Sequence, residues 1–183
     1  MTEPSLPAKI EAIHATLDAA RIEHAFGGAL ALAYYAEPRA TDDIDVNVFL
    51  RPERIAELGD VLRPLGVITT PSDEEAAMRD GQCRLWWGRT PVDVFLASDK
   101  LHDAMRAERR LVPFGDVRIP ILAPEHLLFC KVLFDRSKDW LDAEQMIVCV
   151  DDLNVGALLG ELDRAVGEDD QRTARFKALL GRA

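Results

Sequence analysis

Residues 44–50, "IDVNVFL", place Ile44, Val46 and Val48 on one side and Asp45 and Asn47 on the other. Period two over this length specifies a strand with one buried face. Asp42 and Asp43 stand immediately before it, so three carboxylates crowd the entrance to a core strand. Like charges repel, and the rim of a core is a costly place to gather them. Either they hang in solvent off a strand end, or something positive sits between them. If the strand already begins at Asp43, then Asp43 and Asp45 leave the same face with Cα atoms about 6.5–7 Å apart, near enough to share an ion. Asp42 then points the other way, toward solvent or into the turn.

The surrounding pattern mixes helix and strand. Ile10, Ile13 and Leu17 repeat at helical spacing within residues 8–21, and a short strand over 23–26 follows. Gly27-Gly28 opens a helix over 28–36 that Pro38 stops. Pro52 starts the next helix, with Ile55, Leu58, Leu62 and Leu65 on one side and Gly66 at its end. Residues 73–80 are weakly helical. Residues 82–88 and 91–97 read as two strands joined at Gly88-Arg89-Thr90, and a helix over 99–108 comes next. Residues 109–122 read as a hairpin turning at Gly115-Asp116. The remainder is helical, over 124–135, 139–150, 154–166 and 169–181. Irregular strand spacing argues against a doubly wound sheet, and the short strands argue for α+β. The expected division is a core of residues 1–122 and a helical subdomain of residues 123–183, in a single compact unit.

Composition narrows the class. Apolar residues make up 48% of the 183, so the chain buries a real core. No apolar run reaches the roughly 20 residues that span a bilayer. The start of the chain lacks the basic and apolar regions of a signal peptide, so a cytoplasmic protein without membrane partners is expected. Cys83, Cys130 and Cys149 are odd in number, form no CxxC and lie in apolar runs, which predicts buried free thiols. The four histidines make no zinc motif. A net charge of −10 argues against a broad nucleic-acid-binding surface, although Arg and Lys gather around 106–110 and 131–138.

A further acid recurs at Asp93, between Val92 and Val94 in an apolar strand, where an exposed hairpin acid is the bland alternative to a functional one. If that strand pairs beside 43–49, Asp43, Asp45 and Asp93 converge. Three carboxylates without histidine make an all-oxygen site suited to Mg²⁺. One ion there, or two about 3.5–4 Å apart, can clamp the oxygens of a phosphoryl transfer. Bound metal also relieves the repulsion among the acids. Gly27-Gly28 at a helix start lets backbone approach a phosphate closely, or it is only a tight turn. Lys131 is one cation inside "LLFCKVLF", either functional or snorkelling to water. Arg39 is equally a site or a surface residue. Trp86 and Trp87 point to opposite strand faces, so one belongs to the core and the other packs at an edge or stacks on a base.

The stretch "FGGALALAYYAEPRATDDIDV" resembles the signature of the nucleotidyltransferase (DNA polymerase β-like) superfamily: an hG[GS] turn, a [DE]x[DE] strand, then a third acid on a neighbouring strand. "PRATDDIDV" is similar to the AbiEii/MenT toxin-type group within it, as is "PEHLLFCKVLFDRSKDWLDAEQM", with a Glu and a Lys on one helix and RxKDxxD opening the next. The resemblance implies a nucleotidyltransferase fold, a small mixed β-sheet flanked by helices, with a C-terminal helical segment that closes a cleft. It implies Mg²⁺, or Mn²⁺, on Asp43, Asp45 and Asp93, with Asp93 also the base for an acceptor hydroxyl. Gly27 and Gly28 would cradle the triphosphate of an NTP donor, Thr41 would hydrogen-bond it, and Lys131 would contact phosphate. Asp139, or else Asp142, would complete the site or hold Lys131. The sequence departs from the group at Gly28, where Ser is common, and at His126, where a second Glu is common.

The implied activity is transfer of a nucleoside monophosphate from an NTP to a hydroxyl. The toxin-type pattern favours tRNA as acceptor and an antitoxin protein as partner. A small molecule of the antibiotic type, or a protein hydroxyl, is the alternative acceptor. An inactive nucleotide- or partner-binding module is the alternative of another class.

Overall fold

The structure, a computed structural model, describes residues 3–181, so the expected outer limits at residues 1 and 183 lie outside the described residues. The chain packs as two units, one of residues 3–30 and 40–121 and one of residues 31–39 and 122–181.

The first unit is built on a seven-stranded mixed sheet. In chain order its strands are β1 (His24–Phe26), β2 (Ile44–Val48), β3 (Val67–Ile68), β4 (Gln82–Trp87), β5 (Thr90–Leu96), β6 (Arg110–Phe114) and β7 (Val117–Ile121). Across the sheet they run β3-β4-β5-β2-β1-β7-β6. The pairs β2–β5 and β1–β7 are parallel and the others antiparallel. The alternation in "IDVNVFL" sends Ile44, Val46 and Val48 into the core beside Val92, Val94 and Leu96 of β5.

Helices α1 (Leu6–Ala19), α3 (Ile55–Leu62), α4 (Pro71–Asp80) and α5 (Lys100–Glu108) belong to this unit. Ile10, Ile13 and Leu17 of α1 are buried, as their spacing requires. The α1, α3 and α4 helices form a row, each touching the next, from β7 to β4. The fourth begins with a capping box between Thr70 and Asp73 and stops at Gly81, whose φ of +67° is left-handed. Asp99 caps α5 by accepting from the amides of Leu101 and His102. Lys9 is fully buried on α1, and its ammonium donates to the Trp87 carbonyl at 2.9 Å, the Thr90 hydroxyl at 2.8 Å and Glu3 at 2.5 Å. Those bonds tie α1 to the β4–β5 turn.

The short helix α2 (Gly28–Leu32) begins in the first unit and ends in the second. It was expected to reach residue 36. The amides of Tyr34 and Tyr35 bond to Ala31 and Leu32, a tighter i to i+3 pattern. The segment beyond is held instead by side chains: Tyr35 donates to the Leu122 carbonyl at 2.8 Å and Arg39 grips Asp142.

The second unit contains α6 (Pro124–Phe134), α7 (Ser137–Cys149), α8 (Val155–Val166) and α9 (Gln171–Leu180). The sixth helix touches each of the other three. It is apolar nearly all round, with Leu127, Leu128, Phe129 and Val132 buried, which suits a central helix. Arg172 of α9 closes its end by donating to the Leu133 carbonyl at 3.1 Å.

Three local expectations need correction. The strand β3 was not anticipated, because two residues carry no readable period. Only Cys83 is a buried thiol; Cys130 is half-buried and Cys149 exposed, since α7 turns that side of its last turn to water. The seventh helix starts at Ser137 rather than residue 139. No helix among the described residues is long and apolar enough to cross a membrane.

Candidate active site

Register sets the site. Across β2 and β5, Asp45 lies directly beside Asp93, and across β5 and β4, Asp93 lies directly opposite Arg84. Beyond Asp45, the Gly27 amide donates to the Asp45 carbonyl at 2.9 Å. Gly27, Asp45, Asp93 and Arg84 therefore form one row across four adjacent strand positions, each step about 4.8 Å. Strand β4 buries Cys83, Leu85 and Trp87 and turns Gln82, Arg84 and Trp86 the other way. The row lies on that second face, opposite the buried one. Trp87 is thus the core tryptophan, and Trp86, 45% exposed, shares the face of the acids. Burial also pushes the Cys83 thiol, on the hidden side, up to about 12.

Arg84 was not anticipated, and it supplies the positive charge among the acids. Its Nε donates to Asp93 Oδ1 at 2.6 Å and its Nη2 to Asp93 Oδ2 at 2.8 Å, the parallel fork that guanidinium and carboxylate favour. Asp93 is 18% exposed and Arg84 53%. The hydrogen bonds Arg84 donates to Asp93 hold its proton more firmly than usual; partial burial opposes this, and the charges of Asp93, Asp43 and Asp45 add to it. A signal was present in the sequence: with the hairpin loop at Gly88-Arg89, counting back along both strands pairs Arg84 with Asp93.

Asp43 precedes β2, and Asp42 before it is exposed. The Thr41 hydroxyl donates to Asp43 Oδ1, which fixes one carboxylate oxygen. Gly28 has a φ of +54°, and a Cβ built on it would lie 1.7 Å from Asp45 Oδ2. Backbone without a side chain is therefore what lets the Asp45 carboxylate occupy its place. The Gly27 amide is engaged in the ladder, so Gly27 contributes position rather than a phosphate-binding N–H.

Asp43, Asp45 and Asp93 fit a hard cation in donor chemistry, being three carboxylates, two of them side by side on β2 and β5 and the third two residues before Asp45. Among the described residues no three His, Cys, Asp or Glu side chains form a ready-made metal cluster. Both oxygens of Asp93 face Arg84.

The other sequence-predicted residues, Lys131 and Asp139, lie in the helical unit. Lys131 is 3% exposed, and its ammonium donates to Asp142 Oδ2 at 2.7 Å and stands 3.5 Å from Asp139 Oδ1. Asp142 is thus its nearer partner. Arg39 adds Nε at 3.1 Å and Nη2 at 3.2 Å to the Asp142 carboxylate. Burial pushes Asp142 up, but the hydrogen bonds from Lys131 and Arg39 outweigh it and leave the carboxyl below its ordinary value. Asp139 is fully buried and also accepts from Arg136 at 2.5 Å. These five side chains make a network that ties α6, α7 and the 31–39 segment together.

No family model matches the chain, and no curated protein matches it in sequence. Solved structures do resemble it. The antibiotic-resistance factor ANT(2'')-Ia matches with a TM-score of 0.64 and 15% identity, covering 99% of this chain and 98% of its own. An antigenic nucleotidyltransferase-like protein from Paracoccidioides brasiliensis matches with a TM-score of 0.57 and 15% identity, covering 96% of this chain and 92% of its own. The lincosamide antibiotic adenylyltransferase LnuA matches with a TM-score of 0.53 and 12% identity, covering 79% of this chain and 98% of its own. With its mixed sheet and its paired acids on adjacent parallel strands, the chain has the nucleotidyltransferase fold.

Proposed function

We propose that this chain is a nucleotidyltransferase that moves a nucleoside monophosphate from an NTP to an acceptor hydroxyl and releases pyrophosphate. The observation that carries it is the direct lateral pairing of Asp45 with Asp93, beside the Gly27-Gly28 turn, in this fold. Asp43, Asp45 and Asp93 would hold Mg²⁺ or Mn²⁺, which when bound supplies neutralisation of the triphosphate charge. The chain's own residues do the rest. Gly27 and Gly28 bring bare backbone to the edge of the acids, where a side chain would bar the phosphates. Thr41 orients Asp43 through its hydroxyl. Asp93 takes the proton of the acceptor hydroxyl as its oxygen attacks the α-phosphorus and pyrophosphate leaves with the bonding electron pair. Lys131, with its ammonium on Asp142, organises the helical unit. Positioning and electrostatics supply the acceleration.

The acceptor we propose is RNA, in particular tRNA, with an antitoxin protein as partner; what supports it is the resemblance of "PRATDDIDV" and of the 124–146 segment to the toxin-type group. A small-molecule hydroxyl is the second reading. Its support is the end-to-end match in fold with ANT(2'')-Ia, a structure of which holds adenylyl-2''-tobramycin.

Label transfer tests these readings. Protein is incubated with Mg²⁺, each α-labelled NTP in turn, and either total RNA or a panel of aminoglycosides and lincosamides, with Asp45→Asn alongside. A labelled tRNA band with wild type alone supports the first reading and names the nucleotide. Labelled antibiotic with wild type alone supports the second. Asp45→Asn at wild-type activity sinks the assignment of the acids. Nucleotide binding without transfer to any acceptor supports an inactive binding module instead.

A further inference from the structure

We infer that Arg84 and the divalent cation compete for Asp93, so that Arg84 sets the metal affinity of the site. This rests on the reading of Asp43, Asp45 and Asp93 as metal ligands. Both oxygens of Asp93 accept from one guanidinium, at 2.6 and 2.8 Å. Each Asp93 oxygen commits one lone pair to a guanidinium N–H, so a metal ion meets a depleted donor and a positive charge until the fork opens. The arginine is built to open. Its side chain is half exposed, it sits on the solvent face of β4, and an ion pair at such a site contributes little to folding. Asp93 itself is held by strand register between Asp45 and Arg84, so it does not need the arginine to stay in the row. Without metal, the guanidinium sits on Asp93, near enough to feel the charges of Asp43 and Asp45, and offsets their repulsion. With metal, the cation takes over that role and Arg84 swings off Asp93. Arg84 is a positioning residue in this scheme, acting through Asp93.

Mn²⁺ titration followed by electron paramagnetic resonance tests this without turnover. Arg84→Gln is expected to bind Mn²⁺ about three- to tenfold more tightly than wild type, the size of an exposed forked ion pair and its charge. Arg84→Lys, which keeps the charge but cannot form the fork, is expected in between. Arg54→Gln, a surface cation paired with Glu57, controls for net charge and should leave affinity unchanged. Thermal melts verify that each variant folds. Unchanged or weaker binding in Arg84→Gln, with Asp45→Asn still abolishing it, overturns the inference while the metal-site reading stands. If wild type and Arg84→Gln both bind no Mn²⁺, or bind it equally with and without Asp45, the metal-site reading fails and the inference with it.

Discussion

Gly28→Ala is the sharpest probe of the site, because the structure gives its cost in two separate currencies. The first is folding. Gly28 has a φ of +54°, where an L side chain costs about 1–2 kcal/mol. The new Cβ would stand 1.7 Å from Asp45 Oδ2, 2.5 Å from its Cγ and 2.9 Å from its Cβ. Rotation of the Asp45 side chain clears the first two contacts, but its Cβ is fixed by β2, so the backbone also gives by a few tenths of an ångström. An off-rotamer side chain adds about 0.5–1.5 kcal/mol, so the total loss is about 1.5–3.5 kcal/mol, which a domain of this size survives. The second is function. The rotation that relieves the clash moves the Asp45 carboxylate off the place it holds beside the Gly27-Gly28 turn. Disturbing what orients a metal ligand costs about 10- to 100-fold in affinity or activity, and moving the ligand itself should reach at least the upper end. Gly160→Ala is the matched control: it lies in α8 with nothing within 4 Å of its added Cβ, and should stabilise by about 0.5–1 kcal/mol. Urea unfolding, Mn²⁺ titration and label transfer on both variants separate the effects. A Gly28→Ala protein that folds and keeps wild-type metal affinity and transfer would refute the placement of the Asp45 carboxylate or its role.

Two further predictions concern stability. His24 is buried on β1, sharing a hydrogen bond of 3.0 Å with His14 and donating from Nδ1 to the Ile22 carbonyl at 3.0 Å; burial, and next to it the charge of His14, lower its pKa from 6.5 to about 4 against the pull of the Ile22 bond. Above pH 6.5 both folded and unfolded chains carry it neutral; as pH falls toward 4 the unfolded chain takes a proton that the folded one refuses, so up to about 3 kcal/mol is lost across that window. His24→Leu should flatten this part of the stability–pH curve, and an unchanged slope in urea unfolding at pH 4.5 and 7 would rule the histidine out. In the helical unit, Asp142→Ala leaves Lys131 buried with only the more distant Asp139, and should cost about 3 kcal/mol, the low end for breaking a buried pair; a loss under 1 kcal/mol in urea unfolding would show that the network is not what holds α6 and α7.

How much of this was legible depended on whether the information was local. Ile44, Val46 and Val48 announced β2 because period two is carried by neighbours in sequence. Asp93 stood out because a lone acid between Val92 and Val94 breaks a local rule. The clamps were not legible. Lys131 could be seen as a cation in an apolar helix, but that Asp142 and not Asp139 is nearer depends on helix–helix packing, which no window of sequence contains. The burial of Lys9 depends on two groups from the β4–β5 turn, more than seventy residues away. The early end of α2 is of the same kind, since Ala-rich local preference lost to the anchoring of Tyr35 and Arg39.

Arg84 shows what lies between those cases. Alone, an arginine in "QCRLWW" has no meaning, because alternation places it on the open face like any surface cation. Its role follows only from the register, which the two-residue loop sets and which puts it opposite Asp93. The repulsion of three acids at one sheet face demanded a positive partner, and two were conceivable: a metal ion brought from outside or a side chain brought by the fold. The structure supplies the second, in Arg84 on Asp93. A site arranged this way can fold with no ion bound, because Arg84 offsets part of the repulsion among the acids. If the acids hold a metal ion as proposed, its binding competes with an internal cation, and the affinity of the site for metal would then depend on β4 as much as on the strands that carry the acids.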